Sequence, residues 1–409
     1  MNQYKIIAPQ DIHTEINLPS SKSICNRALI INALANSSEE VNNLSDCDDT
    51  SVMIKALREM PYTIDIMAAG TAMRFLTSYL AVTPGEHIIT GTQRMQQRPI
   101  RILVDALRLL GADISYTLNE GFPPLLIRGK KLEGKSISLP GDISSQYISS
   151  LLMIAPVLKN GLILTLEGDI ISRPYIDMTL RLMNDFGANA RWTSTQEIIV
   201  DAKPYQPVPY LAESDWSAAS YWYEIATLTP NAHIVLPGLF HDSCQGDSRV
   251  KDLFCQLGID TSFHDNKVIL SKSGHKVPTM EYDFVNQPDL AQTFAVTCCM
   301  TNVHFRFTGL HSLRIKETDR IYALITEMRK LGYIIRTNDN DELIWAGERT
   351  EADTHPVIQT YEDHRMAMAF APAAACIEDM RIAHPEVVSK SYPQYWKHLL
   401  HSGFTITEE

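Results

Sequence analysis

Leu107-Arg108-Leu109-Leu110-Gly111-Ala112-Asp113-Ile114 reads as the end of an amphipathic helix, a glycine, and the start of a strand. Helices commonly close on a left-handed residue, and glycine adopts that conformation without a Cβ penalty. The phrase returns as Leu182-Met183-Asn184-Asp185-Phe186-Gly187-Ala188, Leu253-Phe254-Cys255-Gln256-Leu257-Gly258-Ile259, Met328-Arg329-Lys330-Leu331-Gly332-Tyr333-Ile334-Ile335 and Leu399-Leu400-His401-Ser402-Gly403-Phe404. Successive glycines lie 76, 71, 74 and 71 residues apart. Unrelated helix caps would not keep that interval, so the chain is built from repeated units. A weaker sixth copy, Ala56-Leu57-Arg58-Glu59-Met60, has Pro61 in place of the glycine. It stands 50 residues before Gly111, which points to a deletion between Pro61 and Gly70.

Within a unit the apolar period alternates between strand and helix. Residues 134–139 read as a strand, 145–158 as a mostly buried helix, 161–166 as a strand, 177–184 as a helix and 197–200 as a strand. The order is βαβαββ and the fold class is α/β. Six units in 409 residues suggest two domains of three units each. The loop Lys203-Pro204-Tyr205-Gln206-Pro207-Val208-Pro209 is the candidate crossing between them.

Composition narrows the function. Apolar residues make up 45% and charged residues 21%, as in a folded globular chain. The longest nearly apolar run, 366–377, is too short to span a bilayer, and the first residues do not resemble a signal peptide. Seven cysteines without C-x-x-C spacing suggest reduced thiols in a cytoplasmic protein. The 13 histidines have no metal-site grouping, so no metal is expected. A net charge of −12 disfavours a nucleic-acid partner but allows a small anionic ligand in a locally cationic cleft.

The motifs point to that cleft. In Pro19-Ser20-Ser21-Lys22-Ser23-Ile24-Cys25-Asn26-Arg27, a strand over 14–18 stops at Pro19 and a helix begins near Ser23. The serines can cap that helix, and Lys22 and Arg27 add positive charge at its start. Ala69-Gly70-Thr71-Ala72-Met73-Arg74 is a tight turn into a helix that Thr71 could cap. Arg98 precedes another helix, and Ser144 and Ser172 read as caps before two more. Asp289 opens the helix that runs to Thr297; it either caps or serves as a base. In Arg314-Ile315-Lys316-Glu317-Thr318-Asp319-Arg320, Lys316 and Arg320 would share a helix face. Asp363-His364-Arg365 leads into an apolar helix, and Lys390 stands at the last strand-to-helix junction. With helix starts pointing inward, one cleft would receive Lys22, Arg27, Arg74, Arg98, Lys316, Arg320, Arg365 and Lys390. Such a cleft suits phosphorylated or carboxylated small molecules.

Taken in order, Pro19-Ser20-Ser21-Lys22-Ser23 with Asn26-Arg27, Ala69 to Arg74, Arg98-Pro99, Ser144-Ser145-Gln146, Ser172-Arg173-Pro174-Tyr175, Pro288-Asp289, Lys316-Glu317-Thr318-Asp319-Arg320 and Asp363 to Met368 resemble the 5-enolpyruvylshikimate-3-phosphate synthases. These are the enolpyruvyl transferases of the shikimate pathway of aromatic amino-acid biosynthesis. The resemblance implies two domains of three βαβαββ units, an inside-out α/β barrel arrangement. Residues 1–18 and 214–409 would form one domain, 19–213 the other, with the active site in the cleft. It implies transfer of the enolpyruvyl group of phosphoenolpyruvate to the 5-hydroxyl of shikimate 3-phosphate, releasing phosphate. Shikimate 3-phosphate would be held by Lys22, Ser23, Arg27, Ser144, Ser145, Gln146, Ser172, Tyr175, Asp289, Ser312 and Lys316. Phosphoenolpyruvate would be held by Lys22, Gly70, Arg98, Gln146, Arg320, Arg365 and Lys390. Asp289 would be the base, with Glu317 or Lys22 delivering the proton; no metal or organic cofactor is implied, and a cytoplasmic monomer acting on small molecules is expected.

Departures from the family pattern are Ala68 for an Asn before the Ala-Gly-Thr turn, Phe75 for a Pro, and Ser312 for an Asn. The first two predict weakened sensitivity to glyphosate, the family's phosphoenolpyruvate-site inhibitor. Two rivals remain at this point. A UDP-sugar enolpyruvyl transferase would need a loop cysteine, and Cys25, Cys47 and Cys244 do not match one. A catalytically silent binder of phosphorylated metabolites would gain nothing from Asp289 and Glu317.

Overall fold

The repeat glycines take left-handed backbone angles, φ being 101° at Gly111, 82° at Gly187, 91° at Gly258, 87° at Gly332 and 101° at Gly403. In the sixth copy Met60 occupies that position, at φ 41°. The computed structural model describes residues 2–338 and 340–409. Its contacts divide the chain into two compact units: the segment ending at Pro19 together with Glu213–Glu409, and Ser20–Ala212.

The first unit holds three four-stranded sheets of one design, a parallel pair followed by two antiparallel strands. One sheet pairs Asp11–Glu15 with Asn231–Pro237 in parallel and continues through Lys267–Lys272 to Ile259–His264. The second joins Thr279–Asp283, His304–Thr308, Leu343–Trp345 and Arg336–Thr337. The third pairs Val357–Ile358 with Met380–Ala383, then the N-terminal strand Gln3–Ile7, then Thr405–Glu408. A parallel pair needs a crossover connection, and in each sheet a buried helix supplies it. These helices, Trp216–Leu228, Ala291–Met300 and His364–Phe370, pack on one another. Nearly every residue of the three is buried, as in helices enclosed by protein. Trp216, Trp222, Tyr221 and Tyr223 are buried on the first of them. Each large side chain so placed contributes roughly 1.5–3 kcal/mol.

The second unit follows the same plan with one part missing. Thr63–Asp65, Gly85–Thr90, Leu125–Gly129 and Asp113–Tyr116 form one sheet; Ser136–Pro140, Leu162–Glu167, Glu197–Val200 and Ala190–Trp192 form another. The third position holds only a parallel ribbon of Val41–Asn42 and Tyr210–Leu211. The absent piece is the antiparallel pair that should follow helix Asp48–Glu59. The chain passes from Met60 directly into Thr63–Asp65 of the next sheet, so the shortening lies ahead of Thr63 rather than spread to Gly70. Helices Lys22–Leu34, Gly70–Val82 and Ser145–Ile154 are the buried set of this unit and pack on one another.

Several local expectations change. The strand before Pro19 is Asp11–Glu15, not 14–18. Its parallel register against Asn231–Val235 fixes those limits. Lys316 is not on a helix with Arg320. It follows the 3-10 turn His311–Ile315, and helix Arg320–Lys330 begins only after Asp319, whose carboxylate accepts from the Tyr322 amide. Ser21 and Ser172 occupy N-cap positions without a side-chain capping bond, whereas Ser144 accepts from the Gln146 amide at 3.4 Å.

Candidate active site

In the first unit, the carboxylates and cations picked out by sequence form one ion-pair network. Asp289 lies on the 3-10 turn Pro288–Leu290 at the start of a buried helix. Its Oδ1 is 2.9 Å from Arg320 Nη1 and 3.8 Å from Lys316 Nζ, and its Oδ2 is 2.8 Å from Arg365 Nη2. Arg320 Nη2 also donates to Glu317 at 3.0 Å and Nε to Asp363 at 2.7 Å. Lys390 Nζ lies 2.9 Å from the other oxygen of Glu317. Asp363 caps its helix by accepting from the Arg365 amide, so the turn that places Arg365 is held by the acid that also holds Arg320. Ser312 lies half-buried on the 3-10 turn ahead of Lys316 and is outside these ion pairs.

Electrostatics follow from that crowding. Burial alone would raise the Asp289 carboxyl, but Arg365, Lys316 and Arg320 outweigh it and hold it well below the ordinary carboxylate range. Burial lowers the Lys316 ammonium, helped by Arg320 and Arg365 and partly offset by Asp289 and Glu317. The arrangement exposes ionised carboxylates to a set of cations that an anionic ligand could recruit.

In the second unit, the residues fall into three smaller groups. Lys22 Nζ pairs with Asp49 at 3.3 Å. Arg27, 2% exposed, donates to Thr179 at 2.7 Å, Ser149 at 3.0 Å, the Ser23 carbonyl at 2.9 Å and the Tyr175 carbonyl at 3.4 Å. The Phe75 ring lies 5.2 Å from its guanidinium carbon, so Phe75 lies against Arg27. Ser145 and Ser172 are buried, and Ser23 and Tyr175 half-buried.

The third group is built around Gly70. A Cβ there would stand 2.6 Å from Arg98 Nη1, so only glycine lets that guanidinium lie on the helix start. Helix Gly70–Val82 has no side-chain cap, and a cation resting on such an end draws anions. Thr71 does not cap it; its hydroxyl accepts from the Gln146 side chain at 3.2 Å. Arg74 is no cleft cation. It is buried and donates to the Gly70 and Pro99 carbonyls, which steadies the backbone on both sides of Arg98.

Sequence reasoning missed Asp49, Tyr221 and Asp363 as working parts. Tyr221 lies 3.3 Å from Arg365 and is set on a different sheet crossover, 144 positions earlier. Asp49 lies in the acidic run Asp46-Cys47-Asp48-Asp49, whose density was the available signal.

The family model for EPSP synthase (3-phosphoshikimate 1-carboxyvinyltransferase) matches residues 6–67 and 60–399. A 3-phosphoshikimate 1-carboxyvinyltransferase of Bacteroides fragilis (strain YCH46) is 61% identical over 404 residues, covering 99% of this chain and 98% of that protein. One from Shewanella halifaxensis (strain HAW-EB4) is 35% identical over 424 residues, covering 97% and 98%. The solved EPSP synthase of Acinetobacter baumannii shares the fold, with a TM-score of 0.81 at 20% identity and 100% of both chains covered. Family model, full-length relatives and fold coincide: this chain belongs to the EPSP synthase family.

Proposed function

We propose that this chain is a transferase moving the carboxyvinyl group of phosphoenolpyruvate to the 5-hydroxyl of shikimate 3-phosphate, with release of phosphate. The observation that carries the reading is the single network in which Asp289 and Glu317 meet Lys316, Arg320, Arg365 and Lys390. A silent binder of phosphorylated metabolites has no use for two carboxylates among its cations, and membership of the family does not favour it.

In this reading Ser23, Arg27, Ser144, Ser145, Gln146, Ser172 and Tyr175 from one unit, and Asp289, Ser312 and Lys316 from the other, take shikimate 3-phosphate. Gly70, Arg98 and Gln146, with Arg320, Arg365 and Lys390, take phosphoenolpyruvate, and Lys22 serves both. The 5-hydroxyl oxygen bonds to C2 of phosphoenolpyruvate, its proton passes to Asp289, and a proton from Glu317 or Lys22 reaches the methylene carbon. Loss of a proton from that methyl group then expels phosphate and restores the double bond. Asp289 is a weak base while three cations hold it. Substrate phosphate and carboxylate groups that draw Arg365 and Lys316 to themselves restore its basicity. The cations stabilise the departing phosphate.

The chain acts on small molecules. Among the described residues no helix is long and apolar enough to cross a membrane. A cytoplasmic monomer is the setting proposed, the compartment in keeping with seven cysteines that show no C-x-x-C spacing. Carbon NMR with labelled phosphoenolpyruvate and shikimate 3-phosphate tests the reading. A carboxyvinyl ether signal at the 5-position is expected; conversion to pyruvate alone, or no conversion, contradicts it.

A further inference from the structure

Asp247 is a buried acid beside the network, with one oxygen unused. It lies on the 3-10 turn Gly246–Arg249 and is 4% exposed. Its Oδ2 accepts from the Ser217 hydroxyl, in the first turn of helix Trp216–Leu228. Its Oδ1 is buried without a hydrogen-bond partner.

The loop that carries Asp247 is firmly held. Glu213 accepts from Trp216 Nε1, the Phe240 amide, the Ser243 hydroxyl and the Gln245 side chain. Gln245 also donates to the Ser214 carbonyl and accepts from the Trp216 amide. Loop mobility therefore does not account for the unused oxygen. An unmade buried hydrogen bond costs roughly 1–3 kcal/mol, and a native structure that keeps one calls for a use.

The charges around Asp247 suggest the use. Ser217 and Tyr221 stand one turn apart on helix Trp216–Leu228, so Asp247, bonded to Ser217, lies one turn from the residue whose hydroxyl is 3.3 Å from Arg365. Asp289 and Arg365 act on it from the network, and Asp215 from the start of the helix bearing Ser217. Tyr282, on strand Thr279–Asp283, interacts with both Asp247 and Arg249. The network sets four cations against Asp289, Glu317 and Asp363, with His364 3.8 Å from Asp363. Ionised, Asp247 adds a second carboxylate's pull on Arg365 to that of Asp289.

We propose that Asp247 is a positioning residue for Arg365: as an uncharged acid it leaves Arg365 to a substrate anion, and as a carboxylate it competes with that anion. The proposal rests on the assignment of Arg365 to phosphoenolpyruvate made above. Burial, reinforced by Asp289, pushes the Asp247 carboxyl up to about 7, against the pull of Ser217 and Arg365. The exchange therefore falls near neutrality: the acid is protonated below that pH and competes above it.

The test is the KM for phosphoenolpyruvate from pH 6 to 9. Wild type is expected to show a rise of about tenfold across that range. Asp247→Asn should keep the low-pH KM throughout with kcat within about twofold, because the amide cannot ionise. Titration of the substrate's own phosphate is common to both proteins and cancels in their ratio. Ser217→Ala removes a bond that favours the carboxylate, so its rise should move to higher pH. An Asp247→Asn profile that superimposes on wild type, or an unmoved rise in Ser217→Ala, overturns the proposal. Arg365→Ala tests the underlying assignment separately: it should raise KM at every pH, and an unchanged KM removes that assignment whatever Asp247 does.

Discussion

Arg320 Nη1 lies 2.9 Å from Asp289 Oδ1, on a side chain only 2% exposed. The same guanidinium reaches Glu317 and Asp363. One buried residue therefore ties the proposed base, a proposed proton donor and the cap of helix His364–Phe370. Removing one partner of a buried charge network leaves the others uncompensated, at about 3–5 kcal/mol. Arg320→Ala should lower stability by that order in urea unfolding and abolish turnover. Arg320→Lys should recover part of the stability, because an ammonium cannot span three carboxylates in a guanidinium's fork. An unfolding midpoint for Arg320→Ala equal to wild type would count against the network as drawn.

Gly70→Ala places a methyl group where Arg98 Nη1 now lies, at 2.6 Å. The guanidinium must shift. The KM for phosphoenolpyruvate should rise by about ten- to a hundredfold, that is ~1.4–2.8 kcal/mol, with a far smaller change for shikimate 3-phosphate. Equal changes in both KM values would show that Arg98 does not serve one substrate in particular.

Lys316 should set an alkaline limb. Burial lowers its ammonium below the ordinary value of 10.5, so activity should fall with rising pH before that value is reached, as Lys316 loses its charge. Lys316→Arg keeps the charge and should move the limb to higher pH, whatever it does to kcat. The pH profile of kcat/KM decides; an unmoved limb assigns it elsewhere.

Glu224, on helix Trp216–Leu228, is fully buried, and burial raises its carboxyl well above the ordinary 4.5 against the smaller pull of the Thr297 side chain. The folded state keeps the proton that the unfolded chain gives up. Stability is therefore full below about pH 4.5 and is lost as pH rises toward the folded value, by up to ~1.4 kcal/mol per pH unit. Glu224→Gln should gain on wild type between pH 5 and 9 in thermal unfolding. A difference independent of pH would mean that Glu224 is ionised in the fold.

Much of the fold was legible because each repeat closes a helix on a left-handed residue, which leaves glycine at a nearly fixed interval. The shortened unit was legible as an interval, but not as a missing antiparallel pair, because strand Thr63–Asp65 belongs to the following sheet. The cations at helix starts could be picked out locally. What each does could not: Arg27 and Arg74 look like Lys22 and Arg98 in sequence, yet lie buried against Thr179 and the Pro99 carbonyl. Those partners are distant in the chain, as is Tyr221 from Arg365, and no local pattern encodes them. Lys316 and Arg320 misled for the opposite reason, since helical spacing is meaningless where Asp319 starts the helix between them.

The most direct measurement is phosphate release from shikimate 3-phosphate and phosphoenolpyruvate by the wild-type protein and by Asp289→Ala. Rapid release that requires both substrates, reduced by about a thousandfold or more in Asp289→Ala, is the predicted result. Release no faster than background from wild type, or equal from the two proteins, would contradict an enzyme that works through Asp289.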